Sequence, residues 1–127
     1  MPIHSIQRVH HVQLAYPAGA EGQIRNFYHQ LLGLPELRQP PSRTLRFAAG
    51  AQQIELVPTD SNAPAPVASH LAFEVDNLPE LRSRLLQAQL QLVENRALPG
   101  YLRFYVKDPA GNQLEFLEPD DELEYPV

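Results

Sequence analysis

Short stretches of this chain alternate apolar with polar residues, and two longer ones repeat apolar residues at helical spacing. Val12 and Leu14 alternate with His11, Gln13 and Ala15, which predicts a strand over 9–15 with an imperfect register at His10. From about Glu21, apolar residues recur at Ile24, Phe27, Tyr28, Leu31 and Leu32, the stripe of an amphipathic helix, and Gly33 is placed to stop it. A loop follows at 38–43 with Pro40 and Pro41, then strands over 44–49 and 52–57 around a turn at Gly50. A further strand is expected at 70–75. Asp76 or Asn77 can cap a second helix that tolerates Pro79 in its first turn and carries Leu78, Leu81, Leu85 and Ala88 on one face. A strand at 91–95 precedes a loop at Pro99 and Gly100. Strands over 102–106 and 113–117 are joined by Asp-Pro-Ala-Gly-Asn, every residue but the alanine a turn former.

The pattern occurs twice. HHVQLAY from His10 and SHLAFEV from Ser69 are both led by histidine, and LRFAAGAQQIELVP is answered by LRFYVKDPAGNQLEFLEP. His11 and His70 are 59 residues apart, Leu45 and Leu102 57, Glu55 and Glu115 60, so the offset is nearly constant over most of the chain. A repeat of this length implies a duplicated supersecondary unit. Each copy reads β-α-β-β, with a further strand that the first copy shows poorly. The modules fall at 7–58 and 67–119, with a proline-rich linker at 59–66 and an acidic tail at 120–127.

Strand alternation sorts the polar residues onto one face. Leu71, Phe73, Leu114, Phe116, Phe47, Phe104, Ile54 and Leu56 can pack on the helices. The opposite face carries His11, Gln13, Arg46, Gln53, Glu55, His70, Glu74, Arg103, Tyr105 and Glu115. Histidine, arginine and tyrosine among Ala, Val and Leu suit a half-shielded concave surface better than a solvated one. The repeat puts one histidine and one glutamate at related positions in both copies. Imidazole nitrogen and carboxylate oxygen without sulfur suit Zn, Ni, Fe, Mn or Co as divalent ions. The competing reading of such a set is surface glutamates with exposed or core histidines.

Composition narrows the rest. At 127 residues and 43% apolar, the chain has the size of one compact domain or two half-domains sharing a core. A net charge of −5 with no basic run argues against nucleic-acid binding. With no cysteine there is neither a disulfide framework nor a thiolate site. No apolar stretch is long enough to span a bilayer and no signal core opens the chain, so a cytoplasmic protein without membrane attachment is expected. His4 and His29 are expected on the surface, and His10, pointing away from His11's face, in a structural or supporting role.

HHVQLAYP, FYHQLLGLPEL, IELVP, HLAFEV and DPAGNQLEFLEP together resemble the vicinal oxygen chelate superfamily, which includes glyoxalase I, extradiol dioxygenases and the fosfomycin and bleomycin resistance proteins. The resemblance covers nearly the whole chain. It implies an α+β fold of two βαβββ modules forming a cup-shaped, barrel-like mixed β-sheet with helices outside. It further implies a divalent metal bound by His11, Glu55, His70 and Glu115, the His-Glu-His-Glu order of bacterial glyoxalase I, and a homodimer acting on a small-molecule substrate. The chemistry implied is that of a lyase or isomerase working through a metal-bound enediolate, with Glu55, Glu115 and Tyr105 as catalytic groups and Arg103, Arg46 and Gln13 toward the substrate. Two alternatives share the fold: an Fe(II) ring-cleavage dioxygenase on His11, His70 and Glu115, and a non-catalytic binding or resistance protein. For Arg103, the competing partner is Glu74 or Glu94.

Overall fold

The computed structural model describes residues 6–38, 43–60 and 71–120. His4, Pro40, Pro41, His70, most of the expected linker and the tail beyond Asp120 lie outside them. The chain divides into two compact units, Met1–Asn62 and Ala63–Val127.

In the first unit, β1 (His11–Pro17) is followed by α1 (Glu21–Arg25), which continues as a π-helical stretch over Asn26–Leu31. The expected helix is therefore present but widens in its second half, where Leu32 donates its N–H to Phe27 O at 3.0 Å, five residues back. Gly33, at φ 77°, ends it in the left-handed region that glycine enters without a Cβ clash. The strand that the first copy showed poorly is β2 (Glu36–Leu37), only two residues long. It pairs antiparallel with β3 (Leu45–Ala49), which pairs antiparallel with β4 (Gln52–Thr59). The first strand lies parallel to β4, giving the order β1-β4-β3-β2. Pro58 and Thr59 thus extend a strand that was expected to end at Val57.

The second unit repeats the plan. It contains β5 (Leu71–Glu74), α2 (Leu78–Gln87), β6 (Tyr101–Lys107) and β7 (Gln113–Pro119), in the order β5-β7-β6. As in the first unit, the leading strand is parallel to the last one and the middle pair is antiparallel. The strand expected at 91–95 is reduced to a single bridge, Val93 with Tyr105, at the place β2 occupies in the first copy.

Burial follows the alternation read from the sequence. Tyr16, Leu45, Phe47, Ile54 and Leu56 are buried with Ile24, Phe27 and Tyr28 of the helix, and Tyr28 stacks on Phe47 at 5.4 Å. In the second unit Leu78 and Leu85 are buried with Phe104, Val106, Leu114 and Phe116, and Phe73 stacks on Phe116 at 5.2 Å. Burying each such side chain contributes roughly 1.5–3 kcal/mol relative to exposure, the main force holding helix to sheet. Ala88, expected on the apolar stripe, is exposed. Tyr16 brings its hydroxyl within 2.9 Å of Arg43 O and 3.2 Å of Glu21 Oε1. Burial, and then the charge of Glu21, raise its pKa above the usual phenol value.

Candidate functional site

The first unit brings the side chains of His11, Arg46 and Glu55 together in one group. Arg46 and Glu55 are direct cross-strand partners on β3 and β4, and Gln13 faces Glu55 across the parallel pair. Arg46 Nε donates to Glu55 Oε1 at 2.7 Å, while the other carboxylate oxygen, Oε2, lies 3.2 Å from His11 Nε2. The glutamate side chain is only 14% exposed and that of His11 44% exposed. The His11 ring is fixed at its far side as well, where Nδ1 lies 3.0 Å from His10 Nδ1. His10 thus touches His11 directly although strand alternation aims the two residues apart. Gln13 is exposed at the surface of β1.

The second unit builds its group around Glu115, which is 6% exposed. The DPAGN turn sets its place: Asp108 Oδ1 accepts the backbone N–H groups of Ala110 and Asn112 at 2.9 and 2.8 Å, and Asn112 Nδ2 donates to Asp108 Oδ2 at 2.9 Å. This lock starts β7 so that Glu115 faces Tyr105 on β6 and Ala72 on β5. Arg103 Nη1 reaches Glu115 Oε2 at 3.5 Å. Its Nε and Nη2 donate to the Arg96 carbonyl at 3.0 and 2.7 Å, and Nη2 also lies 3.3 Å from Ala97 O. The partner of Arg103 is therefore Glu115 rather than Glu74 or Glu94; Glu94 is bound by Arg82 at 2.5 and 3.1 Å. Tyr105, 8% exposed, has the Arg103 and Arg96 guanidinium carbons 5.3 and 5.5 Å from its ring centre.

Of the four donors expected at a metal, the structure brings His11 and Glu55 together and puts Glu115 in the second unit's group; His70 lies outside the described residues. Among the described residues no group of three or more His, Cys, Asp or Glu side chains converges. The His11–Glu55 pair does fit a divalent ion. Two donors each about 2.0–2.2 Å from a metal at near-tetrahedral or octahedral angles lie about 3.0–3.4 Å apart, and Nε2 and Oε2 are 3.2 Å apart. Arg46 occupies only the other carboxylate oxygen, and His10 the other imidazole nitrogen, the arrangement by which outer groups orient metal ligands. Sequence reasoning missed the Arg46–Glu55 pair and the role of Arg96. The first was signalled by two opposite charges on facing strands of one hairpin; the second had no sequence signal, since it depends on where a loop carbonyl falls.

Two copies of a βαβββ unit, each with a glutamate on its last strand opposite an arginine-bearing strand and one carrying a histidine–carboxylate pair, define a duplicated α+β protein. The chain belongs to the Glyoxalase/Bleomycin resistance protein/Dioxygenase superfamily, whose family model matches residues 8–116. It is similar to a glyoxalase family protein from Bacillus anthracis, at 33% identity and a TM-score of 0.84 over 92% of this chain and 98% of that one. Lactoylglutathione lyase from Agrobacterium tumefaciens shares the fold at 20% identity and a TM-score of 0.72, covering 91% of this chain and 96% of that one. The fosfomycin resistance protein FosX from Listeria monocytogenes does so at 17% identity and a TM-score of 0.74, covering 93% and 95%. No curated protein matches the chain in sequence. Among the described residues no helix is long and apolar enough to cross a membrane.

Proposed function

We propose that this protein is a divalent-metal-dependent enzyme of lyase or isomerase type, with His11, Glu55, His70 and Glu115 as metal ligands and a small molecule as substrate, working as a homodimer. The observation that carries the reading is the 3.2 Å separation of His11 Nε2 and Glu55 Oε2. Members of the superfamily generally use divalent metals. A bound ion would polarise substrate oxygens and stabilise negative charge developing beside them.

The chain's own residues supply the rest. Arg46 holds Glu55 Oε1, so the carboxylate stays anchored in the site whether or not Oε2 is engaged. Glu55 would be the ligand that detaches, and its freed Oε2 takes a proton from the carbon next to a substrate oxygen and returns it to the neighbouring carbon. Glu115, locked in place by the Asp108–Asn112 turn, stays a fixed ligand. Tyr105 offers its hydroxyl as a hydrogen-bond donor to a substrate oxygen.

Elemental analysis of the purified full chain tests the metal. About one ion per chain is expected, with affinity lowered by more than about tenfold in His11→Ala. A metal-free wild type after exposure to zinc, nickel, cobalt, manganese and iron would overturn the reading. With a substrate in hand, Glu55→Gln in metal-loaded protein is expected to lose most turnover.

One observation favours a second reading. Each glutamate already has an arginine, Arg46 on Glu55 and Arg103 on Glu115, so both charges are answered without a metal. A non-catalytic binding protein on the same fold needs nothing more. Stoichiometric ligand binding with neither metal uptake nor product would support it, whereas iron-dependent oxygen uptake with a catechol would support ring cleavage instead.

A further inference from the structure

The second unit's polar group contains two cations and one anion. Arg103 and Glu115 answer each other at 3.5 Å. Arg96 has no such partner: among the described residues its guanidinium meets no carboxylate and no carbonyl, only the Tyr105 ring at 5.5 Å. An arginine with no carboxylate partner among the described residues is ordinary when the chain that carries it is loose. The backbone that carries this one is held. Its backbone lies in a loop pinned by the Val93–Tyr105 bridge on one side, by the Leu98–Tyr101 bridge on the other, and by two hydrogen bonds from Arg103 to its own carbonyl. The ring beneath it belongs to a residue 8% exposed. Arg96 as a residue is exposed. A planar fork of donors on an exposed residue, its Cζ over a buried aromatic ring, can take a carboxylate or phosphate through paired hydrogen bonds. Its location in a chain of net charge −5 makes the local excess of positive charge more notable.

We infer that Arg96 is an oxyanion receptor, and that the substrate of this site is a small organic molecule carrying an ionised carboxylate or a phosphate-type group. Arg103 acts as its positioning residue, because its donors are spent on the Arg96 and Ala97 carbonyls and on Glu115 rather than on a ligand. Tyr105 is the platform. That the anion belongs to a substrate rests on the function proposed above; the binding of the anion does not, since it uses residues of the second unit alone.

The probes are acetate, inorganic phosphate and acetamide, titrated into the full chain with and without added zinc and followed by NMR at the arginine Nε–H and Tyr105 ring signals. Acetate or phosphate is expected to bind and shift both signals, and acetamide to leave them in place. Acetate binding tighter than phosphate marks a carboxylate substrate, and the reverse order a phosphate-type one. Arg96→Gln is expected to weaken anion binding roughly ten- to a hundredfold, the range for losing charged hydrogen bonds, with zinc content unchanged. Arg96→Lys should recover part of the affinity. Failure of both anions to bind, or equal binding by wild type and Arg96→Gln, would overturn the inference. Loss of zinc uptake with anion binding intact would instead overturn the metal reading and leave this one standing.

Discussion

Asp108 fixes where β7 begins, and therefore which side chain faces Tyr105. Its carboxylate accepts two backbone N–H groups and the Asn112 amide, and both residues are buried. Asp108→Ala would leave three donors without an acceptor in a site that water reaches poorly. A loss of about 3 kcal/mol is expected, since each unsatisfied buried donor costs about 1–3 kcal/mol and the exposed turn can relax in part. Chemical denaturation measures it, and faster amide exchange at Ala110 and Asn112 shows that the turn is the cause. This turn was legible in the sequence because Asp, Pro, Gly and Asn each impose their own local backbone chemistry. His11 and Glu55 were legible as residues of the polar face because the repeat matched them with His70 and Glu115, but their direct contact was not. Arg103 was legible as a residue of the polar face but not in its contacts. Its acceptors are the carbonyls of residues 96 and 97, and no side-chain pattern encodes where a carbonyl points.

The two ends of α2 show how an element can be right while its boundary chemistry is not. Asp76 or Asn77 was the expected cap, yet Asn77 sits at φ 66° and makes no side-chain cap. Glu118, from β7, does the work: its two oxygens accept the N–H groups of Asn77 and Leu78 at 2.6 and 2.9 Å. A carboxylate from 40 residues away satisfies the same orphan donors and the same helix dipole that a local cap would. Sequence spacing could not reveal it. At the other end, Gln89 donates to Leu86 O and Leu90 to Leu85 O, the paired bonds of a Schellman turn, with Gln89 at φ 65°. A side chain in that conformation costs about 1–2 kcal/mol that glycine does not pay, partly offset by glycine's greater freedom when unfolded. Gln89→Gly is therefore expected to stabilise the protein by about 0.5–1 kcal/mol, seen as a higher denaturation midpoint with an unchanged m-value. A lower midpoint would mean that the Gln89 side chain makes contacts worth more than the backbone strain. β2 failed to stand out in the sequence for a simpler reason, since two residues are too few to alternate, and the strand expected at 91–95 shrinks to one bridge at Val93.

At the scale of the chain, the duplication is visible in pairing, in burial and in charge. Each unit joins its leading strand parallel to its last, and each carries an arginine on the glutamate of its last strand. Each unit also has a surface carboxylate held ionised at lower pH than usual. For Glu21 the cause is first its own backbone N–H and then Arg43; for Glu94 it is the Arg82 side chain. A carboxylate whose folded pKa is depressed stabilises the fold above its unfolded pKa, near the ordinary value of 4.5, and that contribution disappears as pH falls through the folded value. The contribution of these two carboxylates should thus be constant toward neutrality and decline in acid, beginning near 4.5 and continuing below it. Arg82→Gln removes the partner that holds Glu94 down, so the variant should be the less stable of the two at pH 7 and converge on the wild type at low pH. The gap at pH 7 should also narrow in high salt, because the pair is exposed and screened. Urea midpoints across pH and salt decide it. A difference between wild type and variant that persists in acid would show that Arg82 acts through packing of its aliphatic stem on the surface of the second unit, and not through the charge of Glu94.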